Sequence, residues 1–100
     1  MKHIGEYVEE IDEELCDAKN YAEKAIYWKY EGNANRYKQY YSMSEQELSH
    51  ANIIHQMAVE DINKMRDQGF TAPEEMEEIW RQSHAEYVEK TAWIKKMLEM

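Results

Sequence analysis

The sequence has little of the material that small domains use for crosslinks and turns. Its 100 residues include one cysteine, one proline and three glycines. A single cysteine excludes an internal disulfide. So few glycine and proline residues leave little material for turns, which predicts long uninterrupted helices. No stretch approaches the roughly 20 apolar residues that a membrane span requires, so no membrane partner is expected.

Positive charge is scarce as well. The chain carries 12 lysine and arginine residues against 21 aspartate and glutamate residues, which gives a net charge of -9. Binding to nucleic acid or to an anionic membrane surface calls for basic patches, so this balance argues against both. The acidic field instead attracts cations. Residues 1–30 show no apolar core of a signal peptide, and together with the lone cysteine this predicts a cytoplasmic protein.

Apolar periodicity predicts an all-α chain with three helices in a single domain of residues 1–100. The first helix is predicted over residues 3–31, the second over 34–68 and the third over 72–98. In the first helix, apolar side chains recur at spacings of three and four and form a face wide enough for two neighbours. The expected architecture is a long antiparallel hairpin with a third helix beside it.

Glycine and proline mark the predicted helix ends. Gly32 and Gly69 are expected to end the first and second helices, because glycine accepts the left-handed conformation just past a helix C-terminus. Before the third helix, Thr71 and Glu74 have the spacing of a capping box. Pro73 fits the first turn of that helix.

A Glu-x-x-His pair in the second helix is the feature most indicative of function. Glu47 and His50 are three residues apart, so they share one face of a helix. At spacings of three and four, that face continues through aromatic and aliphatic residues: Tyr40, Met43, Ile54 and Met57. Because a carboxylate and an imidazole are costly to bury without a partner, this pattern predicts a divalent metal ion that neutralises the carboxylate inside a bundle.

Glu14 belongs to the same predicted site. It lies within the apolar face of the first helix, between Ile11 and Ala18. At about 1.5 Å per residue, Glu14 is roughly 27 Å from the hairpin turn, Glu47 roughly 21 Å and His50 roughly 26 Å. The three side chains therefore fall at one level, and both helix faces are predicted to point into the core. This is half of a dinuclear carboxylate site, which takes a Glu from each of two helices and a Glu-x-x-His from each of two others.

A second copy of the chain would supply the missing half. Dimerisation about a two-fold axis brings together two copies each of Glu14, Glu47 and His50 and completes a four-helix bundle. Hard carboxylate oxygens bind and bridge iron or manganese, and one imidazole caps each ion. Eight tyrosines and three tryptophans exceed what one small core takes in, which also favours a partner surface.

These residues carry a resemblance to the ferritin-like superfamily. The matching segments are residues 14–21, Glu-Leu-Cys-Asp-Ala-Lys-Asn-Tyr, and residues 47–51, Glu-Leu-Ser-His-Ala. The pattern resembles that of rubrerythrins and is similar to the half-ferritins of encapsulated ferritin systems, which dimerise to complete their site. The resemblance covers roughly residues 4–68 and implies a ferroxidase or iron-storage protein with a di-iron site, manganese being the alternative metal. The residues that it assigns as metal ligands and catalytic groups are Glu14, Glu47 and His50.

The chain also departs from the family's pattern. It has one Glu-x-x-His set where a complete ferritin or rubrerythrin has two, so the implied ferroxidase activity requires the dimer. It has no Cys-x-x-Cys pair and therefore lacks a rubredoxin-type electron-transfer module. Glu13 matches one additional acidic residue of the encapsulated half-ferritins, but Cys16 stands where another acid is expected. Whether a shell protein associates with the chain is open.

Each site residue has a simpler interpretation. Glu47 completes a Ser-x-x-Glu capping box with Ser44 if the second helix starts at Ser42 or Ser44. His50 fits a core histidine that is hydrogen-bonded to a tyrosine or a glutamate. Glu14 fits a solvated acidic face, because further acids surround it: Asp12, Glu13 and Asp17.

Several other residues are predicted to have structural roles. His55 lies on an adjacent stripe of the second helix, with Leu48, Ala51 and Ile62, and is expected at an interface or in helix packing. His84 is expected to be structural, since no acidic residue lies three positions before it. Cys16 is expected to be a buried thiol. Tyr21 is expected either to hydrogen-bond a ligand carboxylate or to pack in the core, and Trp28 is expected to pack.

Two rival functions stand beside iron oxidation. A helical assembly or adaptor module on the same scaffold would tolerate the loss of Glu14 or His50. A metal-dependent peroxidase or a manganese enzyme would share the same ligands and would differ from a ferroxidase only in turnover.

Overall fold

The computed structural model describes residues 4–69 and 72–100, and these residues form three helices and no strand. Helix α1 spans Ile4–Tyr30, α2 spans Ala34–Asp67 and α3 spans Glu74–Leu98. The prediction of an all-α chain with three helices is confirmed. Helices α1 and α2 each end one residue before the predicted position, and α3 begins two residues after it, which is the usual uncertainty of helix ends.

The turn after α1 is built around Gly32, whose φ of 75° lies in the left-handed region. The Gly32 N–H donates to the carbonyl oxygen of Lys29 at 3.1 Å, and the Asn33 N–H donates to that of Trp28 at 3.0 Å. These two bonds satisfy carbonyl groups at the end of α1 in a Schellman motif. Asn33 Oδ1 then accepts from the Arg36 N–H at 3.0 Å and caps α2. The predicted glycine-terminated turn is therefore confirmed.

Gly69 follows α2 in the same conformation, with a φ of 80° and an N–H that donates to the carbonyl oxygen of Arg66 at 3.0 Å. The start of α3 differs from the prediction. Pro73 is the N-cap residue and the first helical turn follows it, at Glu74. The predicted capping box lies partly outside the described residues, because Thr71 is not among them.

Small side chains let α1 and α2 pack closely along their antiparallel length. Ala18, Ala22 and Ala51 are fully buried. Ser44 is also fully buried, and its Oγ donates to the carbonyl oxygen of Ala18 at 2.7 Å. A serine side chain is short, so it reaches the backbone of a neighbouring helix only where the two helices come close. The Ser44–Ala18 hydrogen bond therefore marks a point of close approach.

This hydrogen bond also settles where the second helix begins. Ser44 lies well inside α2, and its hydroxyl bonds across to α1 instead of capping the N–H groups of its own helix. A helix start at Ser42 or Ser44 is therefore wrong. The capping box between Ser44 and Glu47 is wrong for the same reason, so Glu47 needs another explanation.

Helix α3 covers one side of the hairpin and runs parallel to α1. At one end, Ile4 borders the same groove as Met76 and Trp80. At the other end, Lys29 Nζ donates to the carbonyl oxygen of Met100 at 2.7 Å. The three helices form a rod of 56 × 19 × 17 Å. All three contribute to one core: Ile11, Leu15, Ala18, Ala22, Leu48, Ala51, Ile94, Met97 and Leu98.

Each helix is amphipathic. The buried positions of α1 recur at spacings of three and four, as predicted, and charged residues occupy most of its exposed positions. Within residues 4–69 and 72–100, no helix combines the length and the apolar composition needed to cross a membrane.

Tyr7 joins α1 to α2 towards the end of the hairpin that is far from the Gly32 turn. The residue is 4% exposed, and its Oη donates a hydrogen bond to Oδ2 of Asp61. That bond, together with burial and the negative charge of Asp61, raises the pKa of Tyr7 from 10.0 to about 12. When an acid has a higher pKa in the folded state than in the unfolded state, its stabilising effect is complete below the unfolded pKa. It is then lost as the pH rises through the folded pKa, here from about pH 10 to about pH 12.

The variant Tyr7→Phe should therefore destabilise the fold in a pH-dependent way. We expect a loss of roughly 1–2 kcal/mol in the free energy of unfolding near pH 8, because a hydrogen bond to a carboxylate is removed. Near pH 11 the difference from the parent protein should be smaller. Urea denaturation followed by circular dichroism at both pH values measures the effect. Tyr30→Phe is the control, since Tyr30 is 85% exposed; an equal loss at both pH values would contradict the prediction.

Candidate metal centre

Glu14, Glu47 and His50 converge at one level of the hairpin. One carboxylate oxygen from each glutamate and one ring nitrogen of His50 all lie within 4.8 Å of one another. His50 Nδ1 is 3.6 Å from Glu14 Oε2 and 3.8 Å from Glu47 Oε1. Among the residues that the structure describes, no other group of three or more His, Cys, Asp or Glu side chains comes together in this way. The three side chains selected from the sequence are thus one cluster.

The close packing of α1 on α2 positions the two glutamates. Glu14 lies one helical turn before Ala18 on α1, and Glu47 lies nearly one turn after Ser44 on α2. Because the helices are antiparallel, both displacements run in the same direction along the bundle and amount to about 4.5–6 Å. The carboxyl groups therefore meet about one turn away from the Ser44–Ala18 hydrogen bond.

The cluster lies at the margin of the α1–α2 interface. The side chains are 27% exposed at Glu14, 21% at Glu47 and 55% at His50. The expectation that this face of α2 points into the core is therefore wrong for the single chain. The residues of α2 that are buried belong to the adjacent face: Ser44, Leu48, Ala51, Ala58 and Ile62. The small residues among them fit closely against α1, which leaves the line of Glu47 and His50 beside the interface.

Helix α3 does not cover this cluster. The two grooves that flank α3 are bordered by Leu15 and Cys16 on α1 and by Leu48 and Asn52 on α2. Successive residues of a helix are rotated by about 100°, so Glu14 and Glu47 point away from the grooves that their neighbours Leu15 and Leu48 border. The cluster consequently opens on the face of the hairpin that is turned away from α3.

The two carboxyl groups lie close together, with His50 as the ionisable group paired with both. Hydrogen bonding with Glu14, burial and the negative charge of Glu14 raise the pKa of Glu47, and the charge of His50 opposes that rise. Oε2 of Glu14 is buried and has no hydrogen-bond partner among the described residues. Its 3.6 Å distance from His50 Nδ1 is too long for a hydrogen bond. Since an unpaired buried acceptor is unfavourable, the cluster is short of positive charge.

The donor set fits a hard metal ion. Two carboxylates and one imidazole are ligand types that iron and manganese accept. An ion held by Oε2 of Glu14 would give that oxygen a partner and would offset the repulsion from Glu47. One chain offers three donors, which leaves coordination positions for ligands from elsewhere. The cluster therefore offers three of the donor atoms that a hard metal ion would need.

Two stacked aromatic rings lie about two helical turns from the cluster, on the side of the hairpin turn. Tyr21 stacks on Tyr40, with ring centroids 6.2 Å apart and an interplanar angle of 27°. Lys24 Nζ lies 5.9 Å from the centroid of Tyr21 and 5.6 Å from that of Tyr40. Of the two roles predicted for Tyr21, this contact supports packing, and the stacked rings hold α1 and α2 together between the carboxylate cluster and the hairpin turn.

Two further side chains test the sequence analysis. Cys16 is exposed, so the prediction of a buried thiol is wrong. The inward positions of this turn of α1 are taken by Leu15 and Ala18, which are buried, and Cys16 follows on the outer side. Trp28 packs as predicted, with the guanidinium carbon of Arg36 4.5 Å from its ring centroid.

A pair of imidazoles lies between α2 and α3, although the sequence analysis assigned both residues to packing. His55 Nε2 and His84 Nδ1 are 2.9 Å apart. Burial and the nearby charge of His84 lower the pKa of His55. The signal was present in the sequence: measured from the connection between the two helices, His55 is about 18 Å along α2 and His84 about 15 Å along α3. Glu14 and Glu47 were grouped because they lie at similar distances from the turn between their helices. His55 and His84 are related to the connection between α2 and α3 in the same way.

Comparisons with known proteins assign nothing further. No protein-family model, curated protein or solved structure matches the chain. The function is therefore inferred from the geometry and the chemistry of the residues themselves.

The variant Glu47→Gln should stabilise the metal-free protein at neutral pH. The pKa of Glu47 is raised above its ordinary value of 4.5, so ionisation of this carboxyl group opposes folding once the pH exceeds that value. An amide removes the repulsion from Glu14. We expect a gain of roughly 0.5–1 kcal/mol in the free energy of unfolding, at the low end of the couplings between contacting groups. Urea denaturation with a chelator present measures the change.

The matched control is Glu9→Gln, which removes the same charge from an exposed position on α1 and should change stability little. A less stable Glu47→Gln protein would mean that the two carboxyl groups stabilise each other, against the prediction. Anaerobic Mn²⁺ should reverse the order of stability, because only the parent retains both carboxylates. At an ion concentration of 100 Kd the parent should gain about 2.7 kcal/mol.

Proposed function

We propose that the chain is a ferritin-like di-iron carboxylate protein that oxidises ferrous iron at a site formed between two copies. The observation that carries this proposal is the convergence of Glu14, Glu47 and His50, whose ligating atoms lie within 4.8 Å of one another. This ligand set, at one level of an antiparallel hairpin, is half of a dinuclear carboxylate centre. The resemblance of residues 14–21 and 47–51 to rubrerythrins and half-ferritins supports the same function.

A second copy of the chain is the partner that this function requires. The cluster opens away from α3, and exposed apolar side chains lie beside it. Ile53 and Met57 follow His50 on the same face of α2 and are 50% and 44% exposed. Exposed apolar residues around an incomplete site favour its burial by another subunit. Two hairpins that meet on this face make a four-helix bundle, and the α3 helix of each copy lies on the outside.

The residues of the chain have distinct roles in this function. Glu14 and Glu47 would hold iron through carboxylate oxygens, and His50 would hold it through Nδ1, the ring atom that faces both glutamates. The neutral imidazole must then carry its proton on Nε2. Bound ferrous iron would supply the redox chemistry, since each ion gives one electron to dioxygen or peroxide. The negative charge of the two carboxylates favours the more highly charged ferric ion and so favours this oxidation.

Aerobic addition of ferrous iron to the metal-free protein tests the proposal. We expect the near-ultraviolet absorbance to rise faster than in buffer alone, and a mass measurement to show a dimer or a larger assembly. Glu14→Gln, Glu47→Gln and His50→Ala should each lower the initial rate at least about tenfold, because each removes a ligand. Glu9→Gln should keep the rate of the parent, since it removes only an exposed charge.

The proposal fails if the protein binds neither iron nor manganese and Glu47→Ala alters neither metal content nor assembly. An assembly that forms equally well without metal would then support the adaptor module. Manganese binding without iron oxidation would instead support a manganese enzyme or a peroxidase on the same ligands.

A further inference from the structure

We propose that His55 and His84 form a second metal site, a two-imidazole chelate for a borderline divalent ion such as zinc or copper. The site lies between α2 and α3, whereas the carboxylate cluster lies between α1 and α2 on the other side of the hairpin. The two sites have no residue in common, since the other site consists of Glu14, Glu47 and His50. The proposal therefore stands apart from the function proposed above.

The spacing of the two rings suits a shared ion. His55 Nε2 is 2.9 Å from His84 Nδ1, and the ring centroids are 5.0 Å apart. Two imidazole nitrogens bound at about 2.0–2.1 Å to one ion stand about 2.9–3.4 Å apart, for bond angles between about 90° and 110°. The histidines thus already have the separation of adjacent ligands, and binding would require little movement of either helix.

Aromatic neighbours hold His55 in place. Its ring stacks on Tyr87, with centroids 4.3 Å apart and an interplanar angle of 11°. It also stacks on Trp80, at 5.3 Å and 28°. Tyr87 is itself fixed, because its Oη donates to Asn52 Oδ1 at 3.1 Å. His55 is half-buried in this setting while His84 is exposed, so an ion would reach the pair from the side of His84.

Proton placement permits metal binding at neutral pH. In the metal-free pair, one ring donates an N–H and the other accepts it, so a single proton lies between the two nitrogens. An ion requires a free lone pair on both nitrogens. The donor ring provides one by changing tautomer, which moves its proton to the nitrogen that faces away from the partner ring. Two neutral imidazoles therefore bind the ion without any net release of protons.

Ligand chemistry separates the two sites. A site with imidazole ligands alone suits zinc, copper and nickel, whereas carboxylate oxygens suit harder ions such as manganese. Among the described residues, no third His, Cys, Asp or Glu side chain joins His55 and His84 within the reach of one ion. The remaining coordination positions are therefore open to water or to a small external ligand.

An ion at this position would fasten α3 to the hairpin. Side chains make the connection between α2 and α3: the histidine pair, the Tyr87–Asn52 hydrogen bond, and the exposed ion pair in which Arg66 Nη2 is 3.0 Å from Glu77 Oε2. Metal–imidazole bonds are stronger than any of these contacts, so α3 would be held more firmly in the presence of the ion.

Zinc titration of the metal-stripped full chain tests this site. Every protein in the series carries Glu14→Gln, His50→Gln and His3→Gln, which takes the carboxylate cluster and the amino-terminal histidine out of the measurement. Isothermal titration calorimetry should show one zinc ion per chain. Replacing either histidine, by His84→Gln or His55→Gln, should weaken binding at least about tenfold, because a chelate is reduced to a single ligand. With copper, electron paramagnetic resonance should show two coupled imidazoles before the substitution and one after it.

His84→Gln is the more informative variant, because His84 is exposed and its loss leaves the stacking of His55 on Tyr87 in place. Gln56→Ala, at an exposed position of α2 beside His55, is the control and should change neither the affinity nor the copper spectrum. The proposal is overturned if His84→Gln and His55→Gln bind zinc as the parent of the series does. It is also overturned if the starting protein of this series, in which His55 and His84 are intact, shows only one imidazole bound to copper in the electron paramagnetic resonance spectrum. Neither outcome bears on iron oxidation, since two of the three proposed iron ligands, Glu14 and His50, are replaced throughout this series.

Discussion

The close contact between α1 and α2 at Ser44 and Ala18 is the constraint on which the rest of the structure depends. A buried hydroxyl that donates to the backbone of the opposite helix fixes both the separation and the register of the hairpin. The register of α1 against α2 places Glu14 opposite Glu47, about one helical turn from the Ser44–Ala18 hydrogen bond. Separation decides that their carboxyl groups come within reach of one ion. A larger side chain at position 18 or 44 would force α1 and α2 apart. The three side chains of the cluster would then separate, although the substituted residue makes no contact with them.

The carboxylate cluster is unfavourable for the stability of the single chain. Two facing carboxyl groups and an orphan oxygen are unfavourable in the chain by itself, and the raised pKa of Glu47 reflects that conflict. A small three-helix fold tolerates it because the cluster sits at the margin of the interface, where water still solvates His50. The proposed metal ion and second copy would each relieve the strain, the first by charge and the second by burying the apolar surroundings. In this view, ligand binding and assembly stabilise the same feature.

Helix α3 covers one side of the hairpin and leaves the other side exposed. Its apolar residues close the core over Leu15 and Leu48, so that side is occupied within the chain. The opposite side, with Glu14 and Glu47, remains open and is the one that the proposed dimer uses. The same helix brings His84 to His55 and forms the imidazole pair that is proposed as a second metal site. Because α3 packs on one side of the hairpin, the imidazole pair lies on that side and the carboxylate cluster lies on the other.

The sequence by itself determined the three helices, the turns that end α1 and α2, and the common level of Glu14, Glu47 and His50. Glycine at residues 32 and 69 was sufficient to place two ends, because only glycine adopts a positive φ readily. Counting the rise per residue was sufficient to group Glu14 with Glu47 and His50. Only the tertiary structure decided how far each helix is rotated about its axis, because that depends on which side chains fit across the interface. For this reason Ser44 is buried while His50 and Cys16 are exposed, and His55 meets His84, although periodicity alone gave no such assignment.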